Sequence, residues 1–398
     1  MMNTPVSITG VGAVSAFGCG VGTLVDAWTA GQSALSETGG SYDDFDPAAV
    51  ISRSQIRRTD RYAQMALVAC DEATAQAGWK QGLPYAGDRI GCVVATTASG
   101  ADTVATELSM LNDKGEKAVA ALRVMLSAPD STAVLISMSL GLQGECYGMS
   151  GACAGGAMAI GQGVRMIRSG HADAVVVGGA DAGSARLVRA MYRNLGAMSP
   201  TGRCRPFDVD RDGFLPGEGA AIMVLENAEL ARARQAPVLG SVLGYGSASD
   251  ATHLTMPDQS GQERTVSSAL ADAGLEPEDI AYINAHGTGT RHNDVIETAA
   301  LAAVLGKSGD DIPMSSVKSA IGHLQGAAGA IEAIATLEVL RRGVVAPTVG
   351  LRTPDPELSL HCLPSVATPL DPGCTSFAGL SNSFGLGGHN ATLLLQAA

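Results

Sequence analysis

Met149-Ser150-Gly151-Ala152-Cys153-Ala154-Gly155-Gly156 opens the stretch that decides the fold of this 398-residue chain. From Ala154 to Arg168, small and apolar residues recur at helical spacing and predict a helix. Ile167-Arg168-Ser169-Gly170 then leads into Ala174-Val175-Val176-Val177-Gly178-Gly179, which reads as a strand buried on both faces. A second passage follows the same plan. Val317-Lys318-Ser319-Ala320-Ile321-Gly322-His323 precedes a helical pattern from Gly326 to Arg341, which runs through Leu340-Arg341-Arg342-Gly343 into Val344-Val345. The likeness predicts a duplicated α/β unit with a seam near residues 230–240.

Working outward, Val6-Ser7-Ile8-Thr9-Gly10-Val11-Gly12 and Ile90-Gly91-Cys92-Val93-Val94-Ala95 read as further strands, and Arg61 to Ala77 as a helix. Ala101 to Ala133 reads as a helical excursion, and the polar run Asp250 to Arg264, with Pro257 and Gly261, as a loop. Such alternation predicts layered α/β architecture with a largely parallel or mixed sheet.

Composition narrows the function. The chain is 46% hydrophobic and 16% charged, with 50 glycines and no collagen-like period. Its net charge of -13 argues against a broad basic face for nucleic acid. Within that acidic whole, Arg53, Arg57, Arg58 and Arg61 fall in nine positions, as a solvated helix face or a docking patch. Eight cysteines, at 19, 70, 92, 146, 153, 204, 362 and 374, form no C-x-x-C pair. No apolar run approaches the ~20 residues of a membrane helix, and the strand-like start carries no basic leader. The expectation is a cytoplasmic protein without membrane or nucleic-acid contacts.

Three stretches carry chemistry. Cys153 stands at a predicted helix N-terminus, where free N–H groups favour a thiolate. His286 ends the strand-like run Ile280-Ala281-Tyr282-Ile283-Asn284-Ala285 and opens a Gly/Thr loop, at the strand end where α/β folds place ligands. His323 heads Gly322-His323-Leu324-Gln325-Gly326-Ala327-Ala328-Gly329. Lys318, one of five lysines, sits among serines and apolar residues and is expected to be buried and paired, with Glu332 as its partner. Asp294 and Glu297 are candidates for a polar network near His286. A metal site from His286, His292 and Asp294 fits no established ligand spacing. A cysteine nucleophile with two imidazoles is what carbon–carbon bond formation from a thioester by loss of carbon dioxide requires.

With these segments in order, the chain resembles the elongating β-ketoacyl-[acyl-carrier-protein] synthases of the thiolase superfamily. The likeness runs from Ile8-Thr9-Gly10-Val11-Gly12 to Ser381-Asn382-Ser383-Phe384-Gly385-Leu386-Gly387-Gly388. It includes Arg205-Pro206-Phe207-Asp208 and Arg211-Asp212-Gly213-Phe214. Within the family, His286-Gly287-Thr288-Gly289-Thr290-Arg291-His292-Asn293-Asp294 is similar to type II polyketide and polyene ketosynthases. Housekeeping fatty-acid elongation and a non-catalytic scaffold subunit are the alternatives.

The resemblance implies a thiolase fold, duplicated α/β halves in an αβαβα arrangement, with residues 1–235 holding Cys153 and 236–398 holding His286 and His323. It implies that Cys153 takes the acyl chain and that the Cys153 and Leu386 amides form the oxyanion hole. His286 and His323 would hydrogen-bond the malonyl thioester oxygen, while Lys318 and Glu332 orient His323. Thr288 and Thr290 would bind the phosphopantetheine arm, which belongs to the carrier-protein substrate, so no cofactor or metal is implied. Arg57, Arg58, Arg61 and Arg205, or Arg203, would dock the acidic acyl carrier protein. The partner would be a second copy or a chain-length-factor-like subunit.

Two superfamily neighbours are disfavoured. A thiolase needs a second cysteine near Asn382-Ser383-Phe384, and only Cys374 lies upstream. Chalcone-type synthases pair one histidine with asparagine, where this chain has His323. Leu386 replaces the usual gating phenylalanine, His389 replaces a common threonine, and small residues at Ala98-Ser99-Gly100-Ala101 are expected to line the acyl pocket.

Overall fold

The computed structural model describes residues 5–182, 186–370 and 377–398; Cys374 lies outside them. Strands run β1 (Val6–Ser15), β2 (Gly18–Cys19), β3 (Ile90–Ala95), β4 (Cys146–Met149), β5 (Ala174–Ala182), β6 (Glu218–Asn227) and β7 (Gly240–Ser249). They continue as β8 (Ile280–Asn284), β9 (Met314–Ser315), β10 (Val344–Val345), β11 (Thr368–Pro369), β12 (Ala378–Gly385) and β13 (His389–Ala397). The helices that position the site are α1 (Arg61–Gln76), α2 (Ala101–Lys114), α3 (Gly155–Arg168), α4 (Arg186–Asn194), α5 (Gln259–Ala273), α6 (Arg291–Leu305) and α7 (Ala328–Arg342).

The main sheet has the order β4-β3-β5-β6-β1-β7-β13-β12-β8-β9, with β2 against β1. The pairing pattern is written twice. β1 and β6 pair antiparallel, as do β6 and β5, while β5, β3 and β4 are parallel. β7 and β13 pair antiparallel, as do β13 and β12, while β12, β8 and β9 are parallel. The two sets meet where Val6–Ile8 pair with Gly240–Val242.

Side-chain alternation turns this sheet into layers. Val175 and Val177 face one core while Val176 faces another; Leu393 and Leu395 face the first while Leu394 faces a third. Successive strand residues point to opposite faces, so strands buried on both sides must be apolar throughout. The shared core holds Ala157, Ile160 and Val164 of α3 with Ala330, Ile334 and Leu337 of α7. Tyr62, Met65 and Ala69 of α1 cover the outer face of the first set of strands. Val266 of α5 and Leu301 of α6 cover that of the second. The result is the αβαβα order, with α3 and α7 sandwiched.

These two helices meet at glycine. A Cβ on Gly156 would lie 2.6 Å from the Ala330 nitrogen, and one on Gly329 would lie 2.6 Å from the Ala157 nitrogen. No side chain fits there, which lets the two backbones touch.

Two sequence expectations are corrected. Val344-Val345 is not the counterpart of β5: it forms a short ribbon with Thr368–Pro369, and β12 takes the place beside β8. The run Asp250 to Arg264 is a loop only as far as Asp258. The Asp258 side chain then accepts the Gly261 N–H and starts α5, whose buried stripe includes Gln262, Thr265 and Val266. The excursion after Ala101 is α2 followed by shorter helices at Ala121–Met125 and Ser131–Leu140. Among the described residues, no helix is long and apolar enough to cross a membrane.

Candidate active site

The duplication places the candidate residues. Cys153 follows β4 at the head of α3, and His323 precedes α7, the matching helix of the second set. His286 leaves the C-terminal end of β8, and Leu386 follows the end of β12. Loops from the carboxyl ends of parallel strands thus converge, as in other α/β sheets that bind ligands there. The sulfur of Cys153 and one ring nitrogen each of His286 and His323 lie within 4.8 Å of one another, all buried.

Cys153 rides on a strained turn. Ala152 adopts φ +48°, a left-handed conformation that costs a non-glycine residue about 1 kcal/mol or more. The Leu386 N–H faces the sulfur as a hydrogen-bond donor, and Gly385 brings that backbone close: a Cβ there would stand 3.0 Å from the Cys153 nitrogen. Burial pushes the Cys153 thiol up to about 11, with the Lys318 charge and the Leu386 N–H pulling the other way. The thiolate expected from the helix terminus is therefore not the resting form; desolvation outweighs the donors.

Each histidine has its Nδ1 occupied. Gln325 donates its backbone N–H to His323 Nδ1 at 3.2 Å. Lys318 Nζ lies 3.3 Å from His286 Nδ1 and donates to the His286 carbonyl oxygen at 2.5 Å. An acceptor role for Nδ1 puts the ring proton on Nε2 in both. Burial holds both imidazoles well below the usual histidine range, and the Lys318 cation adds to it. The rings meet edge to face at 5.4 Å, and His323 is wedged similarly against Phe214 at 5.1 Å.

Lys318 is buried and paired to Glu332, as expected. Its hydrogen bonds go to His286, however, and not to His323, because the turn after β9 brings the ammonium under the β8 end. Ser383 Oγ donates to the second Glu332 oxygen at 3.5 Å.

Both candidates join a polar network beside His286, with the Asn293 amide bonded to Asp294 at 3.2 Å and to Glu297 at 3.4 Å. Glu297 accepts the His286 and Gly287 N–H groups at 2.7 and 2.8 Å, and burial pushes its carboxyl up to about 7. Asp294 accepts from Phe207 and Gly289 and lies 3.6 Å from the Arg211 guanidinium. Arg211 occupies the charge that a cation would need, so Asp294 joins no metal site with His286 and His292. Cys153, His286 and His323 are the grouping of metal-capable donors among the described residues.

A cavity of about 230 Å³ opens over the sulfur. Its lining includes polar Thr288, Thr290, His292 and Asn390. Thr288 and Thr290 hold each other at 2.9 Å. The lining also includes apolar Phe214, Leu254 and Leu386. Asp181, which sequence reasoning missed, accepts from Thr96 Oγ1 and from the N–H groups of Thr97, Ala98 and Gly326, tying the β3 and α7 loops together. Tyr192, also missed, lines the cavity; nothing in Ala190-Met191-Tyr192-Arg193 marks it.

The four arginines differ. Arg57 and Arg58 are exposed. Arg61 is held by Glu218 at 2.7 Å and by the Tyr42 carbonyl oxygen. Arg205 is half-buried and donates to the Asp210 carbonyl oxygen at 2.5 Å.

Comparison with known proteins agrees with this geometry. Residues 35–231 match the N-terminal domain of beta-ketoacyl synthases, and residues 239–352 match the C-terminal domain. The chain is 36% identical to a 3-oxoacyl-[acyl-carrier-protein] synthase 2 of Synechocystis sp., covering 98% of this chain and 97% of the relative. It is equally identical to one from Staphylococcus aureus, covering 99% and 98%. Among solved structures, the ishigamide ketosynthase/chain length factor superposes with TM-score 0.91 at 33% identity over both full lengths. A beta-ketoacyl synthase from Burkholderia phymatum gives TM-score 0.91 at 33% identity, covering 99% of this chain and 100% of that one. A type II polyketide ketosynthase in complex with its acyl-carrier protein gives 0.88 at 28%, covering 100% of both.

Proposed function

From a chain that belongs to the β-ketoacyl synthase family and is an acyltransferase of that class, we propose a residue-by-residue mechanism. Cys153 attacks the thioester of an acyl carrier protein; the acyl group moves to sulfur, and the thiol proton ends on the departing pantetheine thiol. The Cys153 and Leu386 N–H groups receive the tetrahedral oxyanion. Malonyl carrier protein then enters along Thr288 and Thr290. Its thioester oxygen takes hydrogen bonds from Nε2–H of His286 and His323 as the carboxylate leaves as carbon dioxide. The resulting enolate attacks the acyl-cysteine, the sulfur leaves as thiolate and takes a proton from water to restore the thiol, and a β-ketoacyl carrier protein is released.

The observation that carries this reading is the occupied Nδ1 of both rings, which turns two neutral N–H donors towards one sulfur-facing point. Neutral donors suit a developing enolate, since each must present an N–H to the growing negative charge while keeping its proton. Lys318 acts on His286 as a positioning residue, and Glu332 balances its charge.

We assign the pathway to type II polyketide or polyene synthesis, on the segment His286 to Asp294 and the structural likeness to ketosynthases of that kind. The curated relatives support fatty-acid elongation as the second reading. A second subunit fits the free edge of β4, against which the helix Ser131–Leu140 packs with Met138 exposed. The protein works in the cytoplasm on this reading, and residues 1–235 and 236–398 are its two halves.

The test is intact-protein mass spectrometry after incubation with an acyl donor. Wild type should gain one acyl group and Cys153→Ala none, while His323→Ala should be acylated yet release little carbon dioxide from malonyl carrier protein. Label on Cys92 or Cys204 would refute the site.

A further inference from the structure

Asp181, near the end of β5, is a buried carboxylate that the mechanism above leaves without a task. Its four partners are neutral donors. The Thr96 hydroxyl reaches it at 3.2 Å, and the N–H groups of Thr97, Ala98 and Gly326 at 2.8, 2.9 and 2.8 Å. Burial pushes the carboxyl up to about 6, and these donors pull the other way. A carboxylate kept in the interior on backbone N–H groups fixes the peptides that supply them. Here the peptides come from two loops that meet backbone to backbone, since a Cβ on Gly326 would lie 2.7 Å from the Thr97 nitrogen.

Each loop leads to a strained residue beside a catalytic one. Ala152, immediately before Cys153, has φ +48°, and Gln325, two residues after His323, has φ +51°. Such left-handed residues persist only where their surroundings hold them. Neither side chain does so: Ala152 has no polar group, and the buried Gln325 amide bonds nothing among the described residues. The hold comes through the backbone. Thr97, whose N–H is on Asp181, donates its hydroxyl to the Ala152 carbonyl oxygen at 3.2 Å. Gln325 joins two successive N–H groups, its own on His323 Nδ1 and that of Gly326 on Asp181. His323 is pinned at its backbone by Leu215 and Gly217, so what remains to be set is its ring. We infer that Asp181 is the positioning residue of both turns, aiming Cys153 through Thr97 and Ala152 and fixing the Nε2–H tautomer of His323 through Gly326 and Gln325. This rests on the ketosynthase reading and deepens it by naming what keeps sulfur and imidazole in register. Without the Gln325 N–H, the ring proton is free to move to Nδ1, and a lone pair on Nε2 would face the enolate oxygen.

The experiment follows two single-turnover rates in the whole chain. One is Cys153 acylation by hexanoyl N-acetylcysteamine, read by intact mass; the other is carbon dioxide release from malonyl carrier protein by enzyme already acylated. Asp181→Ala removes all four contacts and should slow both rates about tenfold or more as the left-handed turns relax. Glycine takes a left-handed φ without penalty, so adding Gln325→Gly should restore carbon dioxide release about fivefold and leave acylation slow. A merely structural Asp181 gains nothing from glycine at position 325, and the double variant would then be as slow as Asp181→Ala or slower. That outcome, or wild-type rates in Asp181→Ala, would overturn the inference while leaving the ketosynthase reading intact. If Asp181→Ala does not fold, Thr97→Val decides: it should slow acylation about threefold or more and leave carbon dioxide release unchanged. Equal slowing of both rates, or of neither, would overturn the inference. No adduct on wild-type Cys153 and no carbon dioxide would overturn it together with the ketosynthase reading.

Discussion

Cys153 shows how one residue is pulled two ways. Its place before α3, the Leu386 N–H and the Lys318 cation favour a thiolate, yet burial wins and sets the thiol at about 11. Because the folded pKa lies above the ordinary value near 8.5, the thiolate is scarce at neutral pH and grows about tenfold per unit until pH approaches 11. Acylation by an N-acetylcysteamine thioester should therefore quicken about tenfold per unit between pH 7 and 9, followed by intact mass. A flat profile over that range would show that the proton is lost during attack rather than before it. The same residue-scale logic explains why Lys318 was expected to orient His323 and instead bonds His286: spacing along the chain cannot say which of two histidines an ammonium reaches. The choice is made by the β8 and β9 register, where Asn284 pairs with Ser315.

At the scale of elements, the crossing of α3 and α7 sets the distance between sulfur and imidazole. Gly156→Ala would push a Cβ to 2.6 Å from the Ala330 nitrogen and 3.0 Å from its Cβ; Gly329→Ala would press on Ala157. Neither contact can be relieved by a rotamer, since both involve backbone. Each substitution should cost about 1–3 kcal/mol, read as a lower urea midpoint, and should slow Cys153 acylation. An unchanged midpoint for both would show that the helices separate freely. These helices were legible in the sequence, since Ala154–Arg168 and Gly326–Arg341 carry unbroken helical spacing within two residues of the observed ends. So were β3 and β5, because a strand covered on both faces has no polar position to blur it. The counterpart of β5 was not legible. Val344-Val345 follows α7 as directly as β5 follows α3, but Pro347 comes two residues later and the chain wanders before β12. The N-terminal turn of α5 was hidden for a related reason: Asp258, Ser260 and Gly261 are loop residues by type, and their capping bonds exist only in three dimensions.

At the scale of the whole molecule, a net charge of -13 sets a problem for any acidic carrier. General attraction is absent, so recognition must come from a local cationic patch strong enough to overcome the mean field. The segment Arg53 to Arg61 was read as four such charges, but Arg61 is committed to Glu218. Arg57 and Arg58 remain exposed just before α1, beyond the short capped helix Arg53–Ile56. Reversing both to glutamate changes the local charge by four units without touching the cavity. Transfer from acyl carrier protein to Cys153 should then slow by about tenfold or more at low ionic strength, and the loss should shrink in 0.5 M salt as screening removes the contribution from wild type as well. Transfer from an N-acetylcysteamine donor, which bypasses the surface, should proceed at the wild-type rate. Equal losses with both donors would place the damage in the fold rather than at a docking surface, and no loss with either would move the carrier to Arg203 and Arg205.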